Sequence, residues 1–260
     1  MNFKMKALVA AAVAAMSVSG VASAAMTDGK TNSSSLVLTI IDATNNVSAT
    51  FDLGFDYAGF SVGGASSASS FSWNLATGDY ADAWSAITGA GSTLSWAVAA
   101  TDYVGSINEA GSMGFITTFR AGQTLPDSLR MAQFGAPQAQ FDRYVNANNA
   151  LGNHGSVENG ASTGNTGNAY GGQFYVGNKF YGIGPLVTGA IGDELGVVQY
   201  YSAVGSLGKL TFAEYDASFK LDANGVLTYA VAAVPEPETY ALLLAGLGLV
   251  GAAARRRKAA

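Results

Sequence analysis

The chain has 260 residues, 33 glycines, one histidine and no cysteine. Six of its 13 basic side chains lie at the two ends, so the part from Ala25 to Pro237 carries seven cations against 17 of the 18 acidic side chains, a net charge near −10. This balance argues against nucleic acid and anionic lipid as partners. The missing cysteines exclude disulfides and thiolate metal sites, and a single histidine excludes a metal site built on imidazoles.

The first 24 residues have the pattern of a secretory signal peptide. Lys4 and Lys6 give a positive start, Ala7–Val21 is an apolar run, and Ala22 and Ala24 are the small residues before a cleavage site. We therefore predict export, with the signal peptide, residues 1–24, removed after Ala24 or one residue later. A retained N-terminal anchor is the alternative, which the small residues at the end of the run disfavour.

Strand patterns dominate the body of the chain, residues 25–233. Ser35–Ile41 is apolar on both faces, which is typical of a central strand, and Asn45-Asn46 offers a turn after it. Further strands are predicted at Phe51–Phe55, Leu94–Val98, Phe115–Phe119, Phe174–Val176, Lys179–Ile183 and Val197–Ala203. Many short strands separated by Gly, Asn and Ser predict a mainly β fold, namely an antiparallel β-sandwich similar to a jelly roll.

Two stretches interrupt the strand pattern. Pro126–Ala150 has apolar residues at helical spacing, and Pro137 within it predicts a break between two short helices. Asn146–Gly172 is polar and rich in Gly, Asn, Ser and Thr, which predicts a long surface loop that is either mobile or functional. Ser61–Ser70 is predicted to be a second, flexible loop.

The clearest strand pair is the last one. In Thr211–Leu221 the odd-numbered residues from Ala213 onward are apolar, and the even-numbered residues are polar or charged. Asn224-Gly225 supplies left-handed residues for a tight turn, and Leu227–Val231 continues the apolar face. We predict an antiparallel hairpin that closes before the C-terminal segment, so that the body folds without the two ends of the chain.

One motif in the body matches a serine hydrolase pattern. Gly160–Gly164 fits the nucleophile elbow, with Ser162 at its centre and His154 as the only available imidazole base. The elbow requires a strand before it and a helix after it, whereas this match falls in the predicted polar loop. A triad also needs a buried, oriented histidine, whereas the glycines near His154 indicate little burial or orientation. The sequence therefore predicts no triad.

A pair of carboxylates is the second catalytic candidate. Glu214 and Asp216 lie on one face of a predicted strand, and Glu214–Phe219 resembles the Glu-x-Asp-x-x-Glu motif of jelly-roll glycosidases. Phe219 replaces the second glutamate of that motif and points to the opposite face. Without that second glutamate the acid/base role is unfilled, so the polar outer face of a hairpin is the favoured interpretation.

Calcium is the one cofactor that the composition leaves open, because it binds carboxylate and carbonyl oxygens. Asp52 with Asp56, or Asp79 with Asp82, are the candidate pairs. Neither pair has the spacing of a known calcium loop, so solvated turn carboxylates are favoured and no cofactor is predicted.

Two further patterns concern sugar and nucleotide ligands. Trp73, Trp84 and Trp96 either stack on sugar rings or fill the core, and the sequence leaves both readings open. Gly246–Gly251 fits the dinucleotide fingerprint but lies in an apolar tail with no strand before it. Close packing of a membrane helix explains these glycines better.

The C-terminus consists of three parts in order. Val234-Pro235-Glu236-Pro237 comes first, then the uncharged apolar run Ala241–Ala254, and then the basic residues Arg255, Arg256, Arg257 and Lys258. The run predicts a transmembrane helix, although it is shorter than the roughly 20 residues that usually span a membrane. The basic cluster keeps its end of the helix in the cytoplasm, so the body lies on the other side.

These three parts resemble the PEP-CTERM sorting signal of Gram-negative bacteria that form biofilms and flocs. The resemblance covers residues 234–258. It implies that an exosortase, an integral-membrane, cysteine-type processing enzyme, recognises Pro235, Glu236 and Pro237 and cuts at or near them. It also implies that Arg255–Lys258 orients the helix in the inner membrane. An ordinary tail anchor is the alternative.

Taken together, the patterns predict an exported surface or extracellular-matrix protein without enzymatic activity. It is expected to be anchored transiently in the inner membrane and then to reach the cell surface or the surroundings. Its predicted partners are the exosortase, the inner membrane and extracellular polysaccharide, and not nucleic acid. The alternative is an exported carbohydrate-binding module or glycoside hydrolase with the same signal. A groove shared by exposed tryptophans and the Glu214–Asp216 pair would favour that alternative.

Overall fold

β-strands form most of the regular structure in the computed structural model, which describes residues 25–30, 33–89, 93–106, 109–203 and 208–232. The predicted signal peptide and the C-terminal signal lie outside the described residues. Within the described part, no helix is long and apolar enough to cross a membrane.

The described part of the chain contains twelve strands and four α-helices. The strands are β1 (Ser35–Asp42), β2 (Val47–Asp56), β3 (Phe71–Asn74), β4 (Leu94–Asp102), β5 (Gly114–Arg120), β6 (Ala161–Gly164), β7 (Lys179–Phe180), β8 (Ile183–Leu186), β9 (Gly189–Ala190), β10 (Glu194–Ser202), β11 (Leu210–Leu221) and β12 (Val226–Val231). The helices are α1 (Tyr57–Phe60), α2 (Ala81–Ile87), α3 (Met131–Asn149) and α4 (Gly171–Phe174).

One antiparallel sheet organises the molecule. Its strand order is β3-β12-β11-β10-β5-β4-β1-β2-β6, with β9 attached to β4, while β7 and β8 form a separate two-stranded sheet. The predicted mainly β, antiparallel fold is thus confirmed. The strands of the two layers belong to a single hydrogen-bonded sheet.

The sheet curls so that its two halves face each other. Phe55 on β2 packs against Phe71 on β3 with ring centroids 4.5 Å apart, although these strands lie near opposite ends of the strand order. The indole N–H of Trp73 donates to the carbonyl oxygen of Leu53 at 3.1 Å. This layered arrangement is consistent with a β-sandwich.

Each face of the sheet has its own core. The inner core lies between the two halves and includes Leu38, Phe51, Trp96, Phe219 and Tyr229. The helix-side core lies on the opposite face, beneath α3, and includes Val37, Phe115, Phe134, Phe141, Tyr144 and Tyr200. β1 is buried along its whole length because it contributes to both cores. Its predicted central position, between β2 and β4, is confirmed.

α3 corrects the prediction of two short helices. It is one helix of 19 residues with Pro137 inside it. Proline has no amide hydrogen and therefore removes one intrahelical bond. The buried side chains of Phe134, Phe141 and Tyr144 outweigh that loss because they anchor both ends of the helix on the sheet.

The predicted loop Asn146–Gly172 is also wrong in part. α3 continues to Asn149, and residues 161–164 form β6, which pairs with β2 from Ser48↔Gly164 to Phe51↔Ala161. β6 was missed because it is a mostly buried edge strand made of small residues, among them Ser and Thr, which show no apolar strand pattern. Phe174–Val176 is likewise not a strand, since Phe174 ends α4.

The last hairpin is confirmed, with a different turn. β11 and β12 pair from Ala217↔Val231 to Leu221↔Leu227. Within this turn only Gly225 has a positive φ, of 84°, whereas both Asn224 and Gly225 were predicted to be left-handed. The side chain of Asp222 accepts hydrogen bonds from the amides of Asn224 and Val226 at 2.9 and 2.8 Å. The connection is therefore a longer turn closed by an aspartate.

Candidate functional sites

The C-terminal signal leaves the folded body at the end of β12. Ala232 is the last described residue, and its amide still donates to the carbonyl oxygen of Asp216 at 2.7 Å. A shallow open cavity lies at this exit, lined by Glu194, Ala217, Ser218 and residues 230–232. The predicted sorting residues Pro235, Glu236 and Pro237 follow at once along the chain, outside the described residues.

His154 lies in a buried polar cluster, contrary to the prediction of a poorly oriented loop residue. Its side chain has no exposed surface, and its Nε2 is 3.2 Å from Ser162 Oγ. Ser162 Oγ donates to Asn148 Oδ1 at 2.8 Å. β6 holds Ser162, and the end of α3 holds Asn148. The elbow match had already brought Ser162 and His154 together, but their burial and the role of Asn148 were missed, because these residues lie among glycines and asparagines.

The hydrogen bonds in this cluster do not activate Ser162 as a nucleophile. Asn148 Oδ1 can only accept, so the serine proton is committed to it and His154 Nε2 must act as a donor. A triad needs the reverse, with the imidazole accepting the serine proton. His154 Nδ1 has no hydrogen-bond partner among the described residues, so no carboxylate orients the ring. The cluster ties β6 to α3.

Burial lowers the pKa of His154 from its usual 6.5 to about 4. Because the folded state binds this proton less readily than the unfolded state, His154 destabilises the fold as pH falls from about 6.5 to 4. Asp52 and Asp142 act in the opposite direction, since burial raises the pKa of each to about 6. Their contribution to stability is present at low pH and is lost as pH rises through about 6.

His154→Gln is therefore expected to remove an acid-sensitive component of stability. The difference in unfolding free energy between the native chain and this variant should shift by about 3 kcal/mol, in favour of the variant, between pH 7 and pH 4. Urea unfolding at several pH values measures this difference. Asp142→Asn serves as a control, because its difference should change with the opposite sign. A pH-independent difference for His154→Gln would contradict the buried, neutral imidazole.

An open cavity of about 300 Å³ lies beside this cluster, lined by Asp79, Asp82, Asn153, Ser162 and Thr163 among others. The two aspartates are exposed. No group of three or more histidine, aspartate or glutamate side chains is placed to hold a metal ion in the described part of the chain. Calcium at Asp79 and Asp82 stays an open expectation.

The other calcium candidates have structural partners. Asp56 caps α1 by accepting from the amide of Gly59 at 2.7 Å. Asp52 is buried rather than solvated, which corrects the favoured reading of this residue. Its carboxylate accepts from the amide of Gly54 at 3.0 Å and from Ser35 Oγ at 3.4 Å. The carboxylate oxygens of Asp52 and Asp56 thus accept hydrogen bonds from nearby amides and from Ser35 Oγ.

The carboxylates Glu214 and Asp216 are exposed on the outer face of β11, whereas Phe219 is fully buried in the inner core. The predicted alternation of this strand is confirmed. Neither carboxylate lines the cavities described above. Phe219 packs 4.8 Å from Tyr229, centroid to centroid, so its position serves the core.

The three tryptophans also belong to the core. Trp96 is fully buried and donates from its indole nitrogen to the carbonyl oxygen of Ala190 at 2.8 Å. Trp84 is 9% exposed, and Trp73 is half-buried against the inner core. Neither of the two cavities described above is lined by a tryptophan, Glu214 or Asp216.

The segment that follows the predicted signal peptide is built into the fold. Met26 is buried, and its amide and carbonyl groups both bond to the side chain of Asn149, at 2.9 and 2.7 Å. The amide of Gly29 donates to Asp142 at 2.9 Å. Ala25 is exposed, so a chain that begins at Ala25 keeps all of these contacts. The predicted cleavage residues Ala22 and Ala24 lie outside the described residues.

Comparison with known families identifies the C-terminal signal. The body defines only a class, a mainly antiparallel β protein, and neither a curated protein nor a solved structure matches the chain significantly. Residues 233–258 match the family model described as the PEP-CTERM protein-sorting motif. The predicted resemblance is thereby confirmed. Such a signal implies export, membrane-associated sorting and processing by an exosortase.

Proposed function

We propose that this chain is a structural protein of the cell surface or extracellular matrix, sorted by its C-terminal signal and released by an exosortase. The observation that carries the proposal is the match of residues 233–258 to the sorting motif, directly after the last strand of the folded body. In this role the apolar run holds the protein in the inner membrane, and Arg255–Lys258 keeps its end in the cytoplasm. Cleavage near Pro237 then frees the body.

Three features of the body support a structural role. Its aromatic side chains fill two cores rather than an exposed stacking surface. The only histidine is buried in a cluster whose proton arrangement does not activate Ser162. Its acidic surface, with a net charge near −10 for residues 25–237, keeps it soluble and makes divalent cations the natural bridge to polyanionic matrix polymers.

Processing is tested on protein released by the native host. Mass spectrometry should find a C-terminus near Pro237 and no molecules that retain Arg255–Lys258. The N-terminus should be Ala25 or Met26, as predicted for cleavage after Ala24 or one residue later. The membrane fraction serves as the control and should contain the unprocessed tail. Released protein that still carries the basic cluster would contradict the proposal.

The alternative function is that of an exported carbohydrate-active enzyme. An assay of substrate turnover distinguishes this enzyme from a structural protein. We expect the purified released protein to hydrolyse neither polysaccharides nor esters, with or without calcium, because Phe219 replaces the second glutamate that the glycosidase motif requires. Activity above the background of a mock purification would favour the alternative. Glu214→Gln, Ser162→Ala and His154→Ala would then identify which group carries it.

A further inference from the structure

A stretch of sheet edge is open in the described part of the chain. β12 accompanies β11 as far as Ala232, whose amide donates to Asp216. At the other end of β11, the amide of Leu210 donates to the carbonyl oxygen of Leu129 at 2.8 Å. Between these points, residues 211–214 pair with β10 on one side, next to a register shift between the pairs Val198↔Glu214 and Gly196↔Ser218. No described strand pairs with the other side of residues 211–215. An unpaired edge is a template for another strand.

The register of the hairpin indicates what fits there. In every pair of the β11–β12 ladder, the residue numbers of the two partners add to 448. Continuing the sum places Ala233 opposite Tyr215 and Pro237 opposite Thr211. The open edge has room for the five residues opposite positions 211–215, and the five residues that follow Ala232 end with the motif.

We propose that the open edge of β11 is the docking site of this chain's own segment Ala233–Pro237, which continues β12 as an added strand. This interaction goes beyond the sorting role, because it concerns how the folded body holds the motif. Continuity favours this segment over a second copy of the chain. It is already tethered at Ala232 in the correct direction, so docking costs little further entropy.

Amide directions at the end of β12 are known from two bonds. The amide of Ala232 points towards β11, where it donates to Asp216. The amide of Val231 points away from β11 and donates to Ser70 Oγ at 3.1 Å. Successive amides along a strand alternate in direction. In a continued strand, the even-numbered residues beyond Ala232 would therefore direct their amides towards β11.

The two prolines suit this alternation. Val234 and Glu236 have amides that would face β11 and bond to the main chain of Glu214 and Phe212, their partners in the continued register. Pro235 and Pro237 fall at positions whose amide nitrogens face outwards, so their missing hydrogens remove no bond to β11. They also leave Ala233 as the one outward-facing amide donor of this segment, which disfavours the addition of a further strand there. The spacing Pro-Glu-Pro thus fits an edge strand.

An engineered disulfide tests the docking in the full-length chain, which has no native cysteine. In Glu214→Cys with Val234→Cys, the two residues would form a hydrogen-bonded pair with Cα atoms about 5.5 Å apart, within the range that a disulfide bridges. Both changes avoid the prolines, and Glu214 is exposed. The detergent-purified protein is oxidised mildly, and the linked peptides are counted by mass spectrometry.

The matched control is Lys220→Cys with Val234→Cys. Lys220 is exposed on the same strand, but its partner in the ladder is Thr228. We expect the intramolecular disulfide of the Glu214 pair to form at least tenfold faster than that of the control. Similar rates for the two pairs, or disulfide-linked dimers as the main product, would overturn the proposal.

Hydrogen exchange of the unsubstituted chain gives a second measurement that does not depend on the cysteine variants. The segment Val234–Pro237 has two exchangeable main-chain amides, those of Val234 and Glu236, which are read in a longer peptide that begins several residues before Val234. Both are expected to exchange at least tenfold more slowly than in a free peptide of that sequence. Exchange at the free-peptide rate would show that the segment does not dock.

Discussion

Replacement of Pro235-Glu236-Pro237 by three alanines is expected to leave the protein in the membrane fraction of its native host. From the sequence, the prolines are expected to keep this segment extended and to end the predicted helix that follows, because proline cannot continue a helix towards its N-terminus. Alanine is the best helix former, so the helix can extend towards the body and remove the extended stretch that an exosortase reads. Fractionation with quantitative immunoblotting should show at least a tenfold loss of released protein.

Glu238→Ala is the matched control for this experiment. It changes a charge next to the motif and leaves both prolines in place, so release should stay within twofold of the native chain. Circular dichroism should show the same folded body in both variants, because neither changes a described residue. Unchanged release of the triple-alanine variant would contradict the hypothesis that this motif is required for sorting.

Tyr144→Ala is expected to have the largest effect on the stability of the body. Tyr144 is fully buried between α3 and the sheet, and its hydroxyl group bonds to Thr39 Oγ1 at 2.9 Å and to Thr50 Oγ1 at 2.5 Å. Loss of a buried aromatic ring costs about 3–5 kcal/mol. The variant should lower the free energy of unfolding by that amount in urea titrations.

Two further variants separate the ring from its hydroxyl group. Tyr144→Phe keeps the ring but leaves two buried threonine hydroxyls without their shared partner, so a loss of about 1–3 kcal/mol is expected. Tyr181→Ala changes an exposed tyrosine and should stay within about 0.5 kcal/mol of the native chain. Equal effects of Tyr144→Ala and Tyr181→Ala would mean that α3 does not anchor on the sheet through Tyr144.

Strands with a regular apolar pattern were predictable from the sequence. β1 is apolar on both faces because it serves two cores, and β11 alternates because its outer face near Glu214 is solvated. In both strands the side-chain chemistry reports directly on which faces are buried. The closing hairpin followed for the same reason, although an aspartate closes its turn.

The elements that escaped prediction depend on contacts far apart in the sequence. β6 has no apolar alternation, and it is a strand because its backbone pairs with β2. Pro137 is tolerated in α3 because the flanking aromatic side chains pack on the sheet. The burial of His154 likewise depends on Asn148 and Ser162, which the chain brings together only after α3 and β6 have formed. Local patterns carry no record of such contacts.

The pairing of β3 with β12 sets the order of events during export. It joins Asn74 to Val226, so β3, an early strand of the body, cannot pair until β12, the last strand, is available. Such non-local pairing makes folding slow, and a chain that crosses the membrane from its N-terminus stays unfolded until nearly all of the body has emerged. The body can then complete its sheet only as the sorting segment arrives behind it. On the proposed route, folding and membrane-associated sorting therefore finish together.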